Sequence, residues 1–145
     1  MEWALRAGTE QDLSFARNLT RQAMLPYYGR YSLLWQEEAF NQAWLWRDNF
    51  IILADGVVQG YLSLSIDRQA LFIRELHLLP EARNQGIGGW ALERVMELAR
   101  QRRLPRVRLM VFQSNPARHL YVRKGFAYVG EDQCFWRMER LSTDE

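Results

Sequence analysis

Arg83-Asn84-Gln85-Gly86-Ile87-Gly88-Gly89 follows the extended run Phe72-Ile73-Arg74-Glu75-Leu76-His77-Leu78-Leu79-Pro80 and leads into a helical pattern beginning near Trp90. A strand, a glycine loop and a helix in succession form a site for an anion. Glycine, lacking a Cβ, lets the backbone turn sharply and present consecutive N–H groups, while the positive end of the helix dipole favours negative charge there. The same glycines would also suit an ordinary flexible helix start, so the residues on either side must decide.

Downstream, a helix from about Gly88 to Arg103 turns Ala91, Leu92, Val95, Leu98 and Ala99 inward and Glu93, Arg94, Glu97 and Arg100 outward. Pro105 stops it. Val107-Arg108-Leu109-Met110-Val111 is then a strand reached through a helix, so a parallel crossover is expected. Asn115-Pro116 opens a short helix through Leu120-Tyr121, and Gly125 ends it. Phe126 to Val129 and Cys134 to Glu139 read as a closing hairpin turning at Gly130-Glu131-Asp132, with Ser142 to Glu145 a frayed end.

Upstream, Trp3 to Ala7 reads as a strand, and Thr9 with Asp12 three residues later is a capping-box helix start. That helix is expected from about Glu10 to Met24, with Leu13, Ala16, Leu19 and Ala23 on its buried face and Pro26 ending it. Tyr27-Tyr28-Gly29-Arg30-Tyr31 reads as an aromatic loop, followed by a second helix carrying Ala39, Phe40, Ala43 and Trp44 to about Asp48. Tyr27, Tyr28, Tyr31 and Trp35 are candidates for an acceptor pocket, since rings with polar tips suit binding clefts; each would serve equally to pack the helices on the sheet. Phe50 to Ala54 and Val57 to Ile66 flank Asp55-Gly56, a hairpin signal, and Ala70 to Leu79 completes an antiparallel meander.

A chain of 145 residues, 48% hydrophobic and 25% charged, suits one domain over 1–145. It has no apolar run near the roughly 20 residues of a membrane span and no signal-peptide stretch, so no membrane partner and a cytoplasmic location are expected. Cys134 is the only cysteine and His77 and His119 the only histidines, which argues against a disulfide or a metal centre. The net charge is +2, with Lys124 the sole lysine. Arg100, Arg102, Arg103, Arg106 and Arg108 cluster as a solvated helix end would, and the aromatics lack the pattern of an RNA-stacking sheet, so nucleic acid is a minor reading.

The order β-α-α-β-β-β-α-β-α-β-β, the motif Arg83-x-x-Gly86-x-Gly88 and the segment from Asn115 through Leu120-Tyr121 to Gly125-Phe126 together resemble the GNAT superfamily of acetyl-coenzyme A-dependent N-acetyltransferases. The resemblance covers essentially the whole chain. It implies an α/β fold with a mixed six- to seven-stranded sheet flanked by about four helices, splayed apart between the fourth and fifth strands. It also implies acetyl-CoA as co-substrate, no metal, and a small-molecule, amino-acid or peptide amine as acceptor; homodimers are common in such proteins. By the resemblance, Arg83, Asn84, Gln85, Gly86, Ile87, Gly88 and Gly89 form the pyrophosphate loop, Leu78 and Leu79 pair with the pantetheine arm, and Asn115 and Arg118 contact the coenzyme. A backbone N–H near Leu78 would polarise the thioester carbonyl. Tyr121 matches the position of a general acid that assists the departing thiolate. The base must come from elsewhere, because the position where some members carry a glutamate is Met110 here. Glu75 and, second to it, His77 project to one face of the fourth strand and can take the proton of the attacking amine, directly or through a water. Glu75 could equally pair with Arg74 or Arg118. Cys134 lies away from both motifs, which favours direct transfer over an acetylated enzyme; a coenzyme-binding module without turnover is the second reading.

Overall fold

In the structure, a computed structural model that describes residues 1–143, seven strands form one sheet in the order β1-β2-β3-β4-β5-β7-β6. The elements are β1 (Trp3–Ala7), α1 (Leu13–Arg30), α2 (Glu37–Trp44), β2 (Asp48–Ala54), β3 (Val57–Asp67), β4 (Ala70–Leu78), α3 (Ile87–Gln101), β5 (Arg106–Phe112), α4 (Ala117–Arg123), β6 (Ala127–Asp132) and β7 (Phe135–Leu141). Every pairing is antiparallel except β4 with β5, the expected crossover through α3.

Two apolar clusters sit on opposite faces. Ile87, Ala91, Leu92, Val95 and Met96 of α3 press on Leu62, Leu64, Leu71, Ile73, Val107 and Leu109 of the central strands. Ala16 and Leu19 of α1 and Phe40 and Trp44 of α2 close over Tyr61 on the other face. The alternation of β3 separates the two sets, Tyr61 and Ser63 facing α1 and α2 while Leu62 and Leu64 face α3.

Several boundaries differ from the sequence expectation. Pro26 lies inside α1, which runs on to Arg30, so the aromatic loop is helical. Pro26 removes one backbone donor, and the lost bond is offset by stacking of Tyr27 and Tyr31 on Phe112 at ring separations of 5.3 and 5.5 Å. Helix α2 stops at Trp44, and Asp48 already begins β2. The closing hairpin turns at Gln133, which takes the positive φ of 56°, while Gly130 occupies a bulge inside β6. Ser142 is buried, its hydroxyl donating to Leu104 O at 2.6 Å, so the chain is tied down there; 144 and 145 lie outside the described residues. The capping box forms as read, Asp12 accepting from the Thr9 N–H and pairing with Arg6 at 2.8 Å. Arg100 donates to Ser142 O, Arg102 pairs with Asp48, and Arg106 and Arg108 pair with Glu139, so most of the arginine cluster is spent on structure.

Candidate active site

The parallel ladder between β4 and β5 ends at Ile73 and Leu109. Beyond it the strands part as expected and leave an opening through the sheet that residues of both faces line. Strand β4 also carries a bulge: Ile73 pairs with Leu64 and Glu75 with Ser63, leaving Arg74 as the extra residue. The extra residue shifts the alternation by one. Glu75 and His77 therefore face the α1 and α2 side, opposite Ser63 and Tyr61, while Leu76 and Leu78 stay with the α3 core.

At one end of the opening a cleft of about 670 Å³ is lined by Arg83, Asn84, Gly86, Gly88, Gly89 and Asn115. Asn84 and Gly86 have φ of 62° and 91°, so the loop enters α3 through two left-handed residues. Among the described residues no side chain caps α3, and its Trp90 N–H bonds to Gly86 O. The N–H groups of Ile87, Gly88 and Gly89 are thus free for an anion. Gly60 abuts the β4 backbone so closely that a Cβ there would run into His77 O. Leu79 donates its N–H to Gln59 O at 2.8 Å and lies outside the cleft lining, so it is not the pairing partner the sequence suggested. Strand alternation turns the Leu78 N–H to the opposite, cleft-facing edge, where Arg83 Nε donates to Leu78 O at 3.2 Å. Asn115 Oδ1 accepts from the Ala117 N–H at 2.9 Å, which starts α4.

Of the other predicted binding residues, Gln85 turns its side chain to Glu81 O, and Ile87 is fully buried, contributing only backbone. Arg118 is directed away: it donates to Gln113 O and lies over the Trp136 ring. Arg123 lines the cleft instead, and the Lys124 side chain lies against Gly89. Both belong to the segment between Tyr121 and Gly125, and their charge beside a phosphate-type loop was the available signal.

The second cavity, about 250 Å³, shares His77, Leu76 and Asn115 with the first and adds Tyr28, Arg47, Arg74, Glu75 and Tyr121. His77 Nε2 is 2.8 Å from Glu75 Oε1, and Arg47 Nη1 is 3.4 Å from Glu75 Oε2. The arginine partner of Glu75 is thus Arg47, a residue the sequence reading did not single out, in place of Arg74 or Arg118. A carboxylate only accepts, so the Nε2 hydrogen of His77 points to Glu75 and Nδ1 keeps the free lone pair. Tyr121 is 8% exposed, and its phenol makes no hydrogen bond among the described residues. Burial first and the Glu75 carboxylate second push it up to about 12. The same two causes, in the same order, lead the raising of Tyr28. Tyr27 lines the first cleft and Tyr28 the second, whereas Tyr31, bonded to Ser114 Oγ at 2.9 Å, and Trp35, tilted on Phe40, line neither and act in packing.

Residues 16–126 match the profile of the acetyltransferase (GNAT) family. The chain belongs to that family. Streptothricin acetyltransferase of Streptomyces lavendulae is 33% identical over 87 residues, 58% of this chain and 46% of its own, so the chain spans about half the length of that curated relative. Among solved GNAT structures, the PaiA N-acetyltransferase of Thermoplasma acidophilum, in complex with coenzyme A, superposes with a TM-score of 0.75 at 20% identity over 97% of this chain and 99% of its own. The spermidine N-acetyltransferase of Vibrio cholerae, in complex with CoA and spermine, gives 0.76 at 21% identity over 97% and 95%. These likenesses establish the mixed GNAT sheet and its four helices.

Proposed function

We propose that this GNAT protein transfers an acetyl group from acetyl-CoA to the primary amine of a small molecule, amino acid or peptide, by direct attack. The observation that carries the reading is the opening between β4 and β5, which joins an uncapped, left-handed anion loop to a His77–Glu75 pair and a buried phenol. The free N–H groups at the start of α3, with Arg123 and Lys124 nearby, fit a pyrophosphate, and the unpaired Leu78 N–H fits an amide-bearing arm or a carbonyl oxygen. When bound, acetyl-CoA supplies an activated acetyl thioester.

The chain's own residues then divide the proton work. His77, the ring that borders both cavities, takes the amine proton at Nδ1. Glu75 has both oxygens engaged, so it is the weaker candidate for the terminal base; its carboxylate balances the charge the ring acquires, and Arg47 fixes the carboxylate. Tyr121, held at about 12, stays protonated beside a thiol that ordinarily titrates at about 8.5, and so serves as a hydrogen-bond donor to the departing sulfur. Tyr121 and the His77–Glu75 pair favour turnover over a silent binding module. The Thermoplasma and Vibrio proteins are N-acetyltransferases by name, which supports an amine as acceptor, and no described helix is long and apolar enough to cross a membrane. The test is calorimetry with coenzyme A together with free-thiol release from acetyl-CoA across an amine panel. Binding with acceptor-dependent release is expected; an absence of acceptor-dependent release across the panel, with or without binding, would overturn the reading.

A further inference from the structure

We infer that the acceptor carries a carboxylate beside its amine and that Arg74 binds it. This rests on the acetyl-transfer reading and narrows its substrate class. Arg74 is the bulge residue of β4, placed on the same face as Glu75 and His77, and it lines the second cavity. Its guanidinium carbon stands 3.7 Å from the Phe72 ring centroid, and its Nε donates to Ser65 Oγ at 2.8 Å. Stacking and one bond fix the plane and leave the two terminal nitrogens as a fork, the geometry that meets a carboxylate with two hydrogen bonds.

Among the described residues Arg74 makes no ion pair, whereas Arg47 holds Glu75 and Arg108 holds Glu139 and faces Asp67. Arg74 is an exposed residue; partial burial, and then the Arg47 charge, lower the pKa of its guanidinium, with Asp67 and Glu75 opposing them, and an arriving anion would offset the Arg47 charge. The carboxylates among the described residues disfavour the opposite substrate. Among the described residues Glu75 is the one carboxylate lining the second cavity, and both its oxygens are engaged. An adjoining hollow of about 290 Å³ adds Asp67 and Glu139, which Arg106 and Arg108 hold between them, with Arg137 also lining it. Among the described residues a polyamine's second ammonium therefore finds no unpaired carboxylate, while an amino acid's carboxylate finds a guanidinium without an ion pair.

The test presents one amine in three forms, as the amino acid, its carboxamide and its decarboxylated amine, with spermidine as a fourth acceptor, at saturating acetyl-CoA. The wild type is expected to favour the acid over the carboxamide by roughly 10- to 100-fold in kcat/KM, mostly through KM. Arg74→Ala should bring that ratio close to unity, Arg74→Lys should restore part of it, and Arg74→Glu should invert it; thermal melting checks that each variant folds. Equal turnover of the carboxamide or of spermidine, or a ratio that survives Arg74→Ala, overturns this inference while leaving acetyl transfer intact. No turnover of any amine overturns the acetyl-transfer reading, and this inference with it.

Discussion

The two ends of the opening between β4 and β5 are built from different materials. The donor end is mostly backbone: left-handed Asn84 and Gly86, the free N–H groups opening α3, and the exposed edge of Leu78. The acceptor end is mostly side chain, gathered from α1, the segment before β2, β4 and α4: Tyr28, Arg47, Arg74, Glu75, His77 and Tyr121. Backbone sites depend on local conformation, which a few glycines dictate within a few residues. Side-chain sites depend on which faces the elements show one another, and here on one bulge that turns Glu75 and His77 to the acceptor side.

If the acceptor end holds the proton relay, its variants should lose rate and keep coenzyme affinity. His77→Gln is expected to lower kcat by about 10²- to 10⁴-fold, with Glu75→Gln losing less. Steady-state kinetics check this, and a larger loss for Glu75→Gln would restore the carboxylate as the terminal base. Tyr121→Phe should cost about 10²-fold in kcat, as for loss of one preorganised donor, at unchanged coenzyme affinity. Because burial first, and Glu75 second, hold that phenol at about 12, the alkaline limb of the pH–rate profile should keep its position in Tyr121→Phe. A moved limb would show the phenol titrating in the working range.

The donor end should fail in the opposite way, in binding. A side chain at Gly86, with φ of 91°, strains the backbone by about 1–2 kcal/mol. Gly86→Ala should thus weaken coenzyme A about tenfold by calorimetry and leave kcat at saturating donor within a few-fold. Away from both ends, Asp12→Ala should lower stability by about 1 kcal/mol through loss of the cap, read as a drop in melting temperature. The Arg6 hydrogen bond first, opposed by burial, and then the Thr9 N–H lower the Asp12 carboxyl to about 2. Its pKa is depressed in the folded state, so its contribution is present above the ordinary value near 4 and fades as pH falls toward about 2. Asp12→Ala should therefore flatten the acid side of the stability profile in that window.

The same contrast explains what the sequence showed. Arg83-x-x-Gly86-x-Gly88, the crossover helix and the Asn115 to Phe126 segment are local patterns; the meander and the parallel crossover followed from such patterns and the β4–β5 opening from the family resemblance they carry, while the placing of β7 between β5 and β6 did not. Arg47 could not be found that way, since nothing near it in sequence indicates that it reaches Glu75 across 28 positions. Periodicity put Glu75 and His77 on one face, but only the Arg74 bulge decides which face that is. Pro26 misled because a single missing hydrogen bond was weighed without the tyrosines beyond it that pack on Phe112, Tyr27 and Tyr31 stacked and Tyr28 edge-on. Tyr31 and Trp35 misled because aromatic residues serve packing and binding alike, and their partners, Ser114 and Phe40, come from the tertiary fold.

The central claim is that the two ends act together on one amine. Mass spectrometry of the acceptor and of the protein, after incubation with acetyl-CoA and a panel of amino acids, peptides and small amines, tests it most directly. The account predicts an N-acetylated acceptor, one free thiol for each acetyl group transferred, and a protein of unchanged mass. Bound coenzyme with no acetylated acceptor, or an acetyl group retained on the protein, would contradict it.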